Sequence, residues 1–272
     1  MSKVKIGLAL GGGGALGMAH VGVLKALEEN NIKPQIIVGT SIGSLVGGVY
    51  ASGLPLDVIE EEALKVKTVQ LMDVSLNLMG VFSGKAAMKL IKNILKSDHQ
   101  IEDLKIKFGA VAVDLVEGEE VLFKSGSLLD AIRASISVPG VFVPYKINNK
   151  YYVDGGTLNN VPENHVKKLG ANFIISVDLL SDYKPNAVPK TAISAITYSS
   201  FVMQRRVTEL MPKFADVRIN LKLNEFKQEV FNKKEAEKLI KIGYDETIKL
   251  MPKIKKLMDK KQTKLDNKKL EK

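Results

Sequence analysis

At 272 residues the chain fits one α/β domain with room for a sizeable core, and its 45% hydrophobic content is that of a globular protein. It contains no cysteine, which excludes a disulfide framework, a thiolate metal site and a cysteine nucleophile. Its net charge of +10 is concentrated at the C-terminus, where residues 251–272 hold nine lysines against Asp259, Asp266 and Glu271. A basic tail of this kind attracts an anionic membrane or nucleic acid, and it is also what a solvated helix end looks like.

The first predicted element is a strand at residues 4–10, followed by the glycine run Gly11–Gly14 with Ala15, Leu16 and Gly17, then a helix from about 18 to 30. The lysines and apolar residues at the N-terminus resemble a secretion signal. The four glycines interrupt the apolar run, and the reading is a cytoplasmic protein. No apolar run reaches bilayer-spanning length. A glycine loop between strand and helix presents bare N–H groups at a helix start, an anion site. Gly12, Gly14 and Gly17 match the dinucleotide pattern, but the next strand (Ile36, Ile37, Val38) ends without the acidic residue that pattern needs.

That strand ends in Gly39-Thr40-Ser41-Ile42-Gly43, a G-x-S-x-G match before a helix that stops at Gly53. A serine on such a strand–turn–helix elbow is lifted clear of the sheet, with Gly39 and Gly43 letting the bend close. The alternative is a glycine-rich turn whose serine caps the helix. A helix over 54–67 follows. Residues 68–82 are apolar but aperiodic (Met72, Leu76, Leu78, Met79, Val81, Phe82) and read as a loop or broken helix over an apolar groove, or as a core helix. Residues 84–96 form an amphipathic helix with Lys85, Lys89, Lys92 and Lys96 outside.

Residues 106–124 read as a hairpin turning at Glu117-Gly118, and Ser127 starts a helix. Residues 134–144 break regular structure. A second hairpin around Asn148-Asn149-Lys150 returns through Tyr151, Tyr152 and Val153 into Asp154-Gly155-Gly156. Asp-Gly is a common turn, and a strand-end carboxylate followed by two glycines is also a candidate partner for Ser41, because Gly155 and Gly156 let another segment press close. A helix over 163–169, a strand over 173–178, a helix over 191–211, a strand over 215–221 and a helix over 233–250 complete the chain. The expected organisation is one domain over residues 1–250 and a basic tail over 251–272. No metal motif is present.

A serine nucleophile needs a base. Of the three histidines, His20 lies near the glycine loop, His99 in a polar turn, and His165 in a lysine-flanked helix where it reads as a solvated surface residue. Ser41, Asp154 and His165 do follow the Ser–Asp–His order of one hydrolase class. The other option is direct activation by Asp154, which requires an apolar, nearly closed pocket to raise its pKa from about 3.9.

Four segments in order, GGGGALG at 11–17, GTSIG at 39–43, ASISVPGVFVP at 134–144 and DGGTLNNVP at 154–162, resemble the patatin-like phospholipase family, in particular its compact bacterial members. The resemblance covers residues 5 to about 180. It implies a sandwich with a central, mostly parallel sheet flanked by helices. It also implies a Ser41–Asp154 dyad, an oxyanion hole from Gly12, Gly13 and Gly14, and metal-independent hydrolysis of acyl lipids without a cofactor. Where that family has a basic residue in the glycine loop, this chain has Leu16. The rival expectation is a non-catalytic lipid- or partner-binding regulator on the same fold. The partners expected are an acyl lipid and, through the tail, an anionic membrane surface, with no nucleic acid.

Overall fold

The structure, a computed structural model, describes residues 3–75, 79–185 and 187–270. Two expected groove residues, Leu76 and Leu78, lie outside the described residues. In chain order the elements are β1 (Ile6–Leu10), α1 (Met18–Glu29), β2 (Ile36–Thr40), α2 (Ile42–Ala51), α3 (Leu56–Lys65), β3 (Gly80–Phe82), α4 (Lys85–Leu95), β4 (Lys107–Asp114) and β5 (Glu119–Phe123). They continue with α5 (Leu128–Ser135), β6 (Gly140–Phe142), β7 (Tyr145–Ile147), β8 (Lys150–Asp154), α6 (Glu163–Lys168), β9 (Phe173–Asp178), α7 (Ala192–Leu210), β10 (Val217–Asn220) and α8 (Lys233–Leu270).

The main sheet runs β10-β9-β1-β2-β4-β8-β7, with β5 on the far side of β4. Its first five strands are parallel, and β5, β7 and β8 pair antiparallel. Both faces are covered, which is why the parallel strands read as near-continuous apolar runs. Alternation still sorts them: Leu8, Leu10 and Ile37 enter the larger core with α1, α2, α5 and α8, whereas Ala9, Ile36 and Val38 enter a smaller core under α6. This is the mixed α/β sandwich that the sequence leads one to expect.

Register brings two distant strand ends together. β2 runs parallel along one edge of β4 and stops with Thr40 opposite Val111. β8 runs antiparallel along the continuation of that same edge and stops with Asp154 opposite Ala112. The C-terminal ends of β2 and β8 therefore meet head to head at adjacent residues of β4. The β7–β8 hairpin is closed by Asn148 and Asn149, both at positive φ (48° and 65°), the geometry of a two-residue type I′ turn that fixes register.

Two parts differ from expectation. Residues 68–82 contain a 3-10 turn, Thr68–Leu71, and the short strand β3, which pairs in parallel with β6 from the irregular 134–144 stretch. Three-residue strands give no periodic signal, so neither was visible in the sequence. The closing helix continues as α8 to Leu270 rather than ending at 250, despite Pro252. An interior proline costs about 3 kcal/mol, and burial of Met251 and Ile254 with packing of Leu257 and Met258 offsets it.

Candidate active site

Ser41 sits on the single residue between β2 and α2, with φ 54° and ψ −127°. A non-glycine residue held there stores about 1–3 kcal/mol of backbone strain. Three contacts sustain it. The Ser41 N–H donates to Ser135 Oγ at 2.9 Å, and that hydroxyl donates to the Val111 carbonyl at 2.6 Å. The Ser41 carbonyl accepts from Ser44 N–H and Oγ. Gly43 lets α2 press onto the end of β1, where a Cβ would lie 2.1 Å from the Leu10 carbonyl oxygen. Gly39 is packed just as tightly against the Gly43 backbone.

Asp154 ends β8 and is buried, as is Ser41. Its Oδ1 accepts from Gly156 N–H at 2.8 Å, while Oδ2 is buried with no aligned hydrogen-bond partner. Burial pushes the carboxyl up to about 6, held back in part by the nearby Ser41 hydroxyl and by Gly156 N–H. The hydroxyl is thus close enough to lower the carboxyl's pKa without making a full hydrogen bond to Oδ2. The Asp154 N–H donates to the Ser137 carbonyl at 3.0 Å. One segment, residues 135–137, therefore holds the backbones of both Ser41 and Asp154. Gly155 backs onto the Val111 carbonyl and Gly156 onto Asn160 and Gln204, approaches that a Cβ would block.

The glycine loop lies beside Ser41: a Cβ on Gly12 would be 3.1 Å from Ser41 Cβ and 2.6 Å from Asn160 Oδ1. The N–H groups of Gly11 and Gly12 are engaged by the carbonyls of Val177 and Asn160 (3.0 and 3.2 Å), and Asn160 Nδ2 donates back to the Gly12 carbonyl at 3.3 Å. The donor set expected at Gly12, Gly13 and Gly14 thus narrows, because Gly12 is already spent on Asn160. Gly14 adopts φ +58° against the Gln228 backbone. Leu16 is buried in the main core. Asn160 and Ser135 are residues that sequence reasoning passed over, although both lie in the quoted family segments.

The histidines do not join this arrangement. His20 is buried beneath the loop, and burial lowers its pKa to about 4, so it is neutral and its Nε2–H donates to the Gly11 carbonyl at 2.8 Å. His165 is not the solvated surface residue expected. It is buried and paired with Glu120 of β5, which also accepts from Asn159 Nδ2 at 3.1 Å. Its helix turns inward because Val166 packs in the α6-side core. Among the described residues no imidazole is hydrogen-bonded to Ser41 or Asp154.

Ser41 opens onto an apolar cavity of about 400 Å³ lined by, among others, Met18, Leu45, Val49, Ile91, Phe142 and Phe201. The wall formed by residues 68–72 and 82–94 is fastened by Arg133 of α5. This buried guanidinium donates to Ser137 Oγ (2.6 Å) and to the carbonyls of Ser83 (2.9 Å) and Val143 (3.1 Å), and it lies over the rings of Phe142 and Tyr145. Burial lowers its pKa to about 10, which leaves it charged at neutral pH. No group of His, Asp or Glu side chains suited to a metal occurs among the described residues, and no helix among them is long and apolar enough to cross a membrane.

The patatin-like phospholipase family profile matches residues 8–166. An uncharacterised NTE family protein of Mycobacterium tuberculosis is 38% identical over 181 residues, covering 65% of this chain and 50% of that protein. The human patatin-like phospholipase domain-containing protein 6 is 35% identical over 182 residues, covering 64% of this chain and 13% of that protein. The chain thus spans half or less of these relatives. In fold it is similar to VipD from Legionella pneumophila, with a TM-score of 0.64 at 16% identity over 92% of this chain and 67% of that one. The chain belongs to the patatin-like phospholipase family.

Proposed function

We propose that the protein is a serine lipid acyl hydrolase of phospholipase A, lysophospholipase or carboxylesterase type, working through a Ser41–Asp154 dyad. The observation that carries this reading is a strained serine that lines an apolar cavity, beside a buried carboxylate with a pKa of about 6. An acyl chain enters the cavity and places its ester carbonyl at Ser41. Ser41 Oγ attacks the carbonyl carbon as its proton passes to Asp154. The N–H groups of Gly13 and Gly14 stabilise the oxyanion, at about 3–4 kcal/mol per well-placed donor. The tetrahedral species collapses as the alcohol leaves with that proton, and Asp154 then draws a proton from the water that cleaves the acyl-enzyme.

The raised pKa suits this role, since a carboxyl near 4 is too weak a base at neutral pH. Labelling with a fluorophosphonate tests the reading. Wild-type protein is expected to label at Ser41 and to hydrolyse members of a phospho-, lysophospho- and neutral-lipid panel, with Ser41→Ala and Asp154→Asn each reducing turnover by about 10⁴-fold or more. A folded wild-type protein that neither labels nor turns over any of them is instead a binding protein on this fold. Loss of activity in His165→Ala with only weak loss in Asp154→Asn assigns a Ser–Asp–His triad.

A further inference from the structure

A lipid ester is delivered in an aggregate, and the rim of the cavity carries apolar side chains that the core does not absorb. Val69, Met72 and Val74 are 69%, 53% and 78% exposed, and Met72 with neighbouring Thr68 and Leu71 lines the cavity. Val74 is bridged to Phe82, another lining residue, and β3 pairs with β6 at Gly80 and Gly140. Ile196 of α7 lies against Gly140, where a Cβ would be 3.3 Å from its Cγ2. Ile193 and Ile196 are exposed, and the next residue, Thr197, lines the cavity. Segments more than a hundred residues apart thus set five exposed apolar side chains on, or within a helical turn or one strand pairing of, residues that line one cavity, a grouping that marks an interaction surface.

Charge is the second observation. α4 forms one cavity wall through Leu90, Ile91 and Ile94. Lys85, Lys89 and Lys92 are spaced four and three residues apart, which places them on one stripe facing away from that wall, and Lys96 is the left-handed residue that caps the helix just beyond them. All four are exposed, and residues 85–96 contain no acidic residue. The ion pairs between described residues involve none of the four. Of the acidic groups nearby, Glu229 lines the cavity and is in none of the ion pairs between described residues, while three others are engaged. Glu61 and Glu62 pair with Lys65. Asp73 accepts from Ser83 Oγ, Gly84 N–H and Ala86 N–H, which ties the Val74 bend to the start of α4 as one unit.

We propose that this face docks the protein on a bilayer bearing anionic headgroups. The apolar rim enters the boundary between headgroups and acyl chains, and the α4 stripe lies on the lipid phosphates. The proposal rests on the lipid-hydrolase reading for its purpose, because docking brings the cavity mouth to the acyl chains, but docking itself requires no turnover. It also assigns the membrane contact to α4 rather than to the C-terminal lysines.

Cosedimentation of the full chain with vesicles tests it, using phosphatidylcholine alone and phosphatidylcholine mixed with phosphatidylglycerol, at low and high salt. Wild-type protein is expected to bind the mixed vesicles, to release as salt rises, and to bind the neutral vesicles weakly. At about fivefold per lysine, removing the positive charge of Lys85, Lys89 and Lys92 predicts roughly a hundredfold weaker binding, and reversing it with Glu at all three is expected to weaken it at least that much. Val74→Glu is expected to weaken binding to both vesicle types. Glu at Lys256, Lys260 and Lys264 together is the tail control and is expected to change binding far less. Every variant is checked for an unchanged thermal midpoint and for turnover of a short soluble ester.

Wild-type protein that does not bind mixed vesicles overturns the proposal, and in that case a protein partner is the alternative occupant of this face. α4 reversal without effect, or a tail reversal that alone abolishes binding, overturns it as well. Intact docking without ester turnover or fluorophosphonate labelling instead sinks the hydrolase reading and leaves the surface standing.

Discussion

The strand-end seam that carries Ser41 and Asp154 and the cap formed by residues 68–75 and 79–96 meet at one cavity but are held in different ways. At the seam, the backbone of each key residue is tied by a hydrogen bond to residues 135–137, and the glycine loop is tied to Asn160, Val177 and His20. The cap rests on two three-residue strands, a 3-10 turn, the packed face of α4, the Asp73 hydrogen bonds to Ser83, Gly84 and Ala86, and the Arg133 guanidinium that reaches Ser83 and Val143. Hydrogen bonds from distant segments hold the backbone at the seam, whereas the cap combines local hydrogen bonds with apolar packing, which leaves its shape freer to vary. Arg133 joins the two regions, since the same side chain bonds Ser137, whose carbonyl holds Asp154.

If the seam is the chemical half, the largest effect comes from filling it. Gly12→Ala sets a methyl against Ser41 Cβ and Asn160 Oδ1, and turnover is expected to fall at least about 100-fold, read in kcat and in the rate of fluorophosphonate labelling. Ser135→Ala is expected next. It leaves the Ser41 N–H and the Val111 carbonyl unpaired, with about 1–3 kcal/mol lost in chemical denaturation and a fall in kcat greater than any change in KM. An unchanged kcat would mean that the elbow holds its own shape.

Titration sharpens the contrast, because the seam holds a buried carboxyl raised to about 6, whereas the carboxyl of the cap, Asp73, is lowered. With Asp154 titrating near 6 rather than 3.8, kcat/KM is expected to drop about tenfold per pH unit below 6 and to be level above it. For stability the sign is reversed. Between pH 4 and 6 the native carboxyl keeps a proton that the unfolded chain has lost, so stability falls as pH rises through that window. Asp154→Asn is therefore expected to be more stable than wild type by up to about 3 kcal/mol at pH 8, with the gain gone by pH 4. An equal gain at both values would show that the effect is packing rather than charge.

Smaller effects belong to the cap and the periphery. Arg133→Lys loses the fork that holds Ser83 and Val143, with about 2 kcal/mol expected in stability and a severalfold rise in KM for long-chain esters at nearly constant kcat. His165→Ala, which removes a pair to Glu120 that makes no hydrogen bond to Ser41 or Asp154, is expected to leave turnover within about twofold of wild type, at a cost of about 1 kcal/mol in unfolding free energy.

The seam was far more legible in the sequence than the cap. Strand, glycine turn and helix around Ser41 leave a local imprint, and so does Asp154-Gly155-Gly156 at the end of a strand. What no local pattern conveys is that β2 and β8 share one edge of β4, because pairing partners are set by global topology. Ser135 and Asn160 were unread for the same reason: each acts on residues more than 90 positions away. The cap left even less trace, since β3 and β6 are too short to be periodic. α8 outran its expected end because lysine content masked the apolar stripe of Met251, Ile254, Leu257 and Met258.

The two-asparagine turn at residues 148 and 149 reaches further than its size implies. It sets which residue of the returning strand faces Tyr145, and hence which residue arrives opposite Ala112. Adding or deleting one residue between that turn and Asp154 would rotate the carboxylate to the other face of the sheet, leaving a sound fold with a stranded hydroxyl. Evolution can thus reshape the cavity wall by small steps, whereas this hairpin admits changes only in pairs.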